Sequence, residues 1–362
     1  MKLLVIGGVA AGTKTAAKFK REDRAAQVTL LSKSGDISYA GCGLPYYVGG
    51  AIQDRGELIV NTPQKFQALT GVEVKTLREA VRVDPANKQV EAKNLSPGET
   101  ETYPYDALVI ATGASPVMPP VEGAGLPGVF QMRTPQDAVS MRDYLEQNNV
   151  KKAVVVGGGF IGLEMAENLL AKGVAPAVVE ATPQLLPGVL DPEMADYVKR
   201  HLQAKGVRVL TGTKAQAVVG QAGVEAVGTT AGSLPCGAVV FSVGVRPNTA
   251  FLEGTGIEMQ KGAIIVDGQL RTSVPDIYAA GDCALVRNRL TGKPQWSPMG
   301  SSANLEGRTL SQALAGEDKA FAGVLGTAVC KLPGLNVGKT GLTEQAARDA
   351  GYNVETALMA TD

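Results

Sequence analysis

The chain has 362 residues, room for two or three domains of ordinary size, and its 35 basic and 35 acidic side chains cancel, so no global field points to nucleic acid or an anionic membrane. Four cysteines lie far apart with no CxxC or metal-ligand spacing, which sets aside a secreted disulfide scaffold and a cysteine metal centre. No stretch approaches the ~20 apolar residues of a membrane span, the first apolar run is too short for a signal peptide, and a lone histidine excludes catalysis built on several, so a reducing cytoplasm is the expected setting.

In chain order, Lys2–Ile6 is a short apolar run, and a glycine turn follows it. An Ala-rich helix is then expected over about Ala11–Arg21, and a strand over Val28–Leu31. This strand–turn–helix–strand plan is the signature of a dinucleotide fold. The turn, Gly7-Gly8-Val9-Ala10-Ala11-Gly12, carries valine at the middle glycine position, and Ser32 stands where an acid should close the strand. Lys14, Lys18 and Arg21 fall on one helix face, which reads either as a solvated surface or as a hold for a phosphate-bearing substrate.

Next comes Ser38-Tyr39-Ala40-Gly41-Cys42-Gly43-Leu44-Pro45-Tyr46-Tyr47. Glycines on both sides give Cys42 backbone freedom and access, and Pro45 suits the first turn of a helix. A helix starting there would favour the thiolate. With no second cysteine nearby, Cys42 would have to cycle through a mixed disulfide, a persulfide or a sulfenic acid. A buried structural cysteine is the alternative, and it is the expected reading for Cys236, Cys283 and Cys330.

Ala107–Ile110 reads as a buried strand ending at Ala111-Thr112-Gly113, and the proline-rich loop Ala114–Pro120 is a plausible domain crossing. The first plan then repeats, with the run Ala153–Val156, the turn Gly157–Gly162, a helix over Leu163–Ala171 and a strand over Ala177–Val179. Here Gly157-Gly158-Gly159-Phe160-Ile161-Gly162 fits GxGxxG in full, and Glu180 closes the next strand. An acid there accepts from ribose hydroxyls and repels a 2′-phosphate, favouring NADH over NADPH. His201 sits in a helical stretch and reads as structural. A second crossing is expected at Ser242–Asn248, and Asp276–Asp282 is again a strand ending at an acid.

The expected fold is therefore α/β with two nested Rossmann-like nucleotide-binding domains. The first spans residues 1–113 and 245–322, and the second, inserted, spans 114–244. Residues 323–362 read as the beginning of a third domain, cut short and too small for a core of its own.

Six segments in order carry a resemblance: the turn Gly7–Gly12, the Ser38–Tyr47 stretch, Ala111-Thr112-Gly113, Gly157–Glu164, Gly244-Val245-Arg246-Pro247-Asn248 and Tyr278-Ala279-Ala280-Gly281-Asp282. Over essentially the whole chain the sequence resembles the class III pyridine nucleotide-disulfide oxidoreductases. That group contains coenzyme A disulfide reductases, NADH-dependent persulfide reductases, NADH oxidases and NADH peroxidases.

The resemblance implies FAD on the first domain. Gly7, Gly8, Val9, Ala10, Ala11 and Gly12 would meet its pyrophosphate, Val81 its adenine and Asp282 its ribityl chain, with Ser32, Lys33, Ala111, Thr112, Gly113 and Gly281 in the same site. NADH would be served by Gly157, Gly159, Phe160, Ile161, Gly162, Glu164, Glu180 and Gly244. Electrons would pass from NADH through FAD to Cys42, whose thiolate attacks a sulfur–sulfur bond. The oxidases and peroxidases usually carry a histidine where this chain has Ala10, so the pattern looks like the coenzyme A disulfide and persulfide branch. In that branch Lys14, Lys18, Arg21 and Ser38 would contact coenzyme A, with Asn304 on a loop near the site.

The departures are Ser32 for the ribose-binding acid, Gly41 for the usual asparagine, Lys14 for a small polar residue, and a short C-terminal segment that is the incomplete start of the α+β dimerisation domain that makes the family homodimeric. An NADH oxidase or peroxidase, and a non-catalytic flavoprotein sensor or inactive fragment, are the rival expectations.

Overall fold

The protein is described by a computed structural model covering residues 1–96 and 98–359. The chain opens with β1 (Lys2–Ile6) and α1 (Ala10–Glu22), then β2 (Gln27–Ser32). A 3₁₀ turn at Gly41–Gly43 leads into α2 (Leu44–Gly49), which has Pro45 in its first turn and stops where Gly50 turns left-handed at φ +87°. Next come β3 (Glu73–Thr76), β4 (Ala107–Ile110), β5 (Val129–Phe130) and α3 (Pro135–Gln147), the last opened by a Thr134/Asp137 capping box. The second glycine turn lies between β6 (Lys152–Val156) and α4 (Phe160–Ala171). It is followed by β7 (Ala175–Val179), β8 (Arg208–Leu210) and β9 (Ala238–Phe241). The chain ends through β10 (Ile277–Ala279), α5 (Gly300–Leu314) and the hairpin β11 (Ala328–Leu332)–β12 (Leu335–Lys339).

Two compact units result. The first comprises Met1–Ala40, Gly56–Ser115 and Arg246–Val324. Its central sheet is parallel, in the order β10-β4-β1-β2-β3, with Val5 opposite Leu30 on one side and Val109 on the other. Alternate side chains feed two cores. Leu3, Val5, Leu30 and Val109 meet Phe19 of α1 and Leu310 of α5, while Leu4, Ile6, Leu31, Leu108 and Ile110 meet Val83, Val90 and Ile264. Burial on both faces is why these strands read as continuous apolar runs rather than alternating ones.

The second unit comprises Gly41–Arg55, Pro116–Val245 and the chain from Leu325 on. Its sheet repeats the order as β8-β7-β6-β9-β5, again parallel, with Val155 between Val178 and Val240. In both sheets the strand before the glycine turn is central.

The segment carrying Cys42, expected within the residue 1–113 domain, packs with the second unit. Gly49 of α2 lies so close to α4 that a Cβ would fall 2.6 Å from Asn168 Oδ1. Arg142 of α3 donates to the carbonyls of Tyr47 (3.4 Å), Ile52 (3.4 Å) and Gln53 (3.1 Å), and its guanidinium lies 4.7 Å from the Tyr47 ring centre. Replacing Arg142 with methionine keeps the apolar stem but removes its hydrogen bonds to these carbonyls, of which the Tyr47 oxygen still accepts from Gly50 N at 3.2 Å. The expected loss is about 1–2 kcal/mol, read as a lower midpoint in chemical denaturation.

The segment read as an emerging third domain also packs with the second unit. His201 Nε2 lies 2.6 Å from the Pro333 carbonyl oxygen, and Glu344 N donates to Asp191 Oδ1 at 2.8 Å. A two-stranded hairpin has too little apolar surface to stand alone, so it takes the nearest packed face.

Candidate active site: two glycine turns and a cysteine

The two glycine turns superpose in their logic, bond by bond. Gly7 and Gly157 sit at φ +121° and +114°, and their N–H groups donate to Leu31 O and Val179 O, each at 2.8 Å. A Cβ on Gly12 would fall 1.9 Å from Gly7 O, and one on Gly162 2.0 Å from Gly157 O. Gly8 O accepts from Ser38 N at 2.7 Å, and Gly158 O from Leu186 N at 2.9 Å. Ser38 and Leu186 share a left-handed φ of +49°.

Both helices that follow start without a side-chain cap: α1 after Val9 and α4 after Gly159. Their first N–H groups and positive dipole ends suit an anion. A Cβ on Gly159 would meet nothing within 4 Å, so the turn leaves space in front of the α4 N-terminus where a pyrophosphate can approach the backbone. The residues present thus fit a dinucleotide.

The strand ends differ. Glu180 is buried, and its carboxylate accepts from Gly158 N and Thr182 N, both at 2.7 Å. It braces the turn as well as standing where a ribose acid stands. In the first unit the buried Ser32 takes that place, and a Cβ on Gly8 would come within 3.0 Å of Ser32 Cβ and Oγ. Ser32 offers a hydroxyl and no charge. Lys33 is exposed and pairs with Glu79 at 2.6 Å, while Val81 is exposed on the strand Arg78–Asp84.

At the end of β4, Ala111 N donates to Ile6 O at 2.8 Å. Thr112 Oγ1 donates to Asn248 O (2.7 Å), and Asn248 Nδ2 returns a bond to Thr112 O (3.0 Å). Gly113 and Gly244 both need positive φ. The Gly281–Asp282 turn is held by Trp296 Nε1, which donates to Asp282 O at 2.8 Å.

Cys42 is exposed on its 3₁₀ turn, unlike the buried Cys236, Cys283 and Cys330. Beside it, a Cβ on Gly41 would meet nothing within 4 Å, so the asparagine usual in the family would fit. Near this turn Tyr46 and Glu167 have no role in the sequence expectations, and Glu164 is expected there only as an NADH contact. Burial, reinforced by Glu164, Glu167, Cys330 and Cys42, pushes the Tyr46 phenol up to about 12, so it stays a donor. Burial and then Glu167 push Glu164 up to about 7. Glu167 is raised by burial against the pull of Lys331, which lies 3.9 Å away, and its Oε2 is buried with no hydrogen-bond partner among the described residues. The available signal was the three-residue spacing of Glu164 and Glu167, which puts both on one face of α4.

On α1, Lys14 and Arg21 are exposed, and Lys18, on the same face, is half-buried and ion-paired with Glu22. Asn304 is exposed on α5 and donates to Gly300 O at 3.0 Å. Among the described residues no His/Cys/Asp/Glu group could hold a metal, and no helix is long and apolar enough to cross a membrane.

Fold and site together define a two-unit dinucleotide-binding protein with an accessible cysteine. Residues 1–303 match the pyridine nucleotide-disulphide oxidoreductase family, and the chain belongs to it. It is 37% identical over 347 residues to an NADH oxidase of Methanocaldococcus jannaschii, covering 96% of this chain and 77% of that one. It is 35% identical over 359 residues to an NAD(P)H coenzyme A polysulfide/persulfide reductase of Pyrococcus horikoshii, covering 99% and 79%. The solved NAD-dependent persulfide reductase from A. fulgidus superposes with a TM-score of 0.93 at 36% identity, over 97% of this chain and 66% of that one. The chain thus spans just under two thirds of that structure's length.

Proposed function

We propose that the protein reduces a sulfur–sulfur bond with electrons from NADH, using FAD on the first unit, NADH on the second and Cys42 as nucleophile. The observation that carries this reading is an exposed cysteine, flanked by glycines, in a chain with two uncapped glycine-turn helices. When bound, FAD would relay an electron pair from the nicotinamide to sulfur. The Cys42 thiolate would attack a disulfide or persulfide, form a mixed disulfide and release the first thiolate. Glu164, which titrates near neutrality, is the nearby group able to supply its proton, while Tyr46, held protonated, can donate a hydrogen bond to the thiolate.

Coenzyme A disulfide or a coenzyme A persulfide is the proposed acceptor. Relatives bear such names, and Lys14 and Arg21 offer exposed charge for phosphate. The decisive experiment is anaerobic titration with NADH and then coenzyme A disulfide, following the flavin spectrum. Reoxidation by the disulfide supports the path, and flavin that stays reduced overturns the acceptor. An NADH oxidase is the second reading, favoured by the name of the Methanocaldococcus relative. It predicts oxygen consumption faster than disulfide reduction.

Glu180 would set the nucleotide preference, because its buried carboxylate closes the NADH ribose site against a 2′-phosphate. Glu180→Ala is expected to raise KM for NADH roughly tenfold by unbracing the turn, and to narrow the NADH/NADPH ratio of kcat/KM. An unchanged ratio would show that the preference lies elsewhere.

A further inference from the structure

The first unit buries a carboxylate that none of the expected roles uses. Glu306 of α5 is 1% exposed, and its Oε2 accepts from Gly281 N at 2.6 Å. The next residue is Asp282, the acid expected to hold the flavin's ribityl chain. Gly281 is left-handed at φ +82°, and a Cβ there would lie 3.1 Å from Ala11 Cβ in the first turn of α1. Gly307, beside Glu306, is equally tight, since its Cβ would come 2.6 Å from Ala11 O. Thr15 Oγ1 donates to Ala11 O at 2.9 Å and reaches Gly307 O at 3.3 Å. Three pieces remote in sequence therefore meet at one point: the helix start that follows the first glycine turn, the Gly281–Asp282 turn, and the middle of α5.

We infer that Glu306 is a positioning residue of the flavin site, fixing through the Gly281 N–H the turn that aims Asp282, and that its protonation makes flavin affinity depend on pH. The inference rests on the proposal that FAD occupies the first unit. A buried N–H without an acceptor is costly, so the turn depends on this carboxyl oxygen. The ionisable groups on the elements packed around it are Lys14, Lys18, Lys20, Arg21 and Glu22 on α1, Asp282 and Cys283 at the turn, and Arg308 on α5 itself. Burial pushes Glu306 up to about 7, the Gly281 N–H pulls it back, and the Asp282 charge raises it again.

Bound FAD would bring its negatively charged pyrophosphate to the start of α1, against which Glu306 is buried, and so would favour the protonated carboxyl. Affinity is then full below the flavin-free titration point and falls as pH rises through about 7. Neutral Glu306 still accepts from Gly281 N through its carbonyl oxygen, whereas a buried ion beside Asp282 strains the pair.

The test is FAD binding to the flavin-stripped full chain, followed by flavin fluorescence from pH 6 to 8.5. In the native chain the dissociation constant should rise roughly three- to tenfold across that range. Glu306→Gln keeps the acceptor and loses the titration, so it should bind comparably at pH 6 and show a flat profile. Glu306→Ala should bind about tenfold more weakly at pH 6, with a cooperative unfolding transition retained. A flat native profile, a glutamine variant that keeps the native slope, or a folded alanine variant with native affinity would each overturn the inference. If the alanine variant does not fold, the glutamine profile decides. If the native chain takes up no FAD at any pH, the flavin assignment itself is wrong and this inference goes with it.

Discussion

Cys42→Ser should bind FAD, accept electrons from NADH, and lose disulfide-dependent NADH oxidation by about 10³-fold or more. Serine is close to isosteric with cysteine, and residue 42 is exposed, so the fold has little at stake. What is lost is sulfur. An alkoxide is not available near neutral pH, and an oxygen cannot form the mixed disulfide through which the substrate is opened. Anaerobic NADH titration should therefore still bleach the flavin, while coenzyme A disulfide should fail to restore it. The other three cysteines are buried, with Cys236 and Cys283 pushed up to about 11 and Cys330 to about 12, first of all by burial, so none can replace Cys42. Turnover within tenfold of the native chain in the serine variant would remove Cys42 from the mechanism. Loss of flavin reduction as well would place its role before sulfur chemistry.

A matched pair of glycine substitutions should separate the two nucleotide sites. A methyl group at residue 12 would lie 1.9 Å from Gly7 O, and at residue 162 2.0 Å from Gly157 O. Both contacts are with backbone, so no side chain can rotate away, and the helix must lift off its glycine turn at a cost of about 1–3 kcal/mol. That displacement moves the N–H groups meant for a pyrophosphate. Gly12→Ala should lower FAD affinity by about 100-fold and leave the isolated protein pale. Gly162→Ala should keep the yellow colour and raise the NADH concentration needed for half-reduction by a similar factor. Equilibrium dialysis for FAD and stopped-flow reduction by NADH read the two effects independently. A colourless Gly162→Ala protein, or a yellow Gly12→Ala protein that NADH no longer reduces, would reverse the assignment of the units.

Local pattern made the two sheets legible. Lys2–Ile6 and Lys152–Val156 are continuous apolar runs because each strand is covered on both faces, and in the turns after them Gly7, Gly12, Gly157 and Gly162 are glycine because a Cβ there has nowhere to go. The full GxGxxG at Gly157 was plain in the sequence, as was Cys42 between its glycines. The bracing of Gly158 by Glu180 was not legible, because a strand-closing acid looks the same whether its oxygens face a ligand or a backbone N–H. The packing of Cys42's segment against α3 and α4 was also hidden. It depends on Gly49 meeting Asn168 and on Arg142 finding three carbonyls, and neither contact is close in sequence. The pairing of Lys18 with Glu22 on the same helix face follows from their i,i+4 spacing, but the sequence does not say which way either side chain turns.

The amino-acid sequence by itself determined the α/β class, the duplicated nucleotide-binding plan, the family and the accessible cysteine. All of these are written in local signals: apolar runs, glycine spacing and the residues flanking a thiol. Only the tertiary structure decided which unit Cys42 rides on, how Glu180 is spent, and that Glu306 joins α1 to the Gly281–Asp282 turn. A buried carboxylate and the N–H it satisfies can lie anywhere along the chain, so their pairing leaves no periodicity to read. It exists only once the sheet has brought the two segments together.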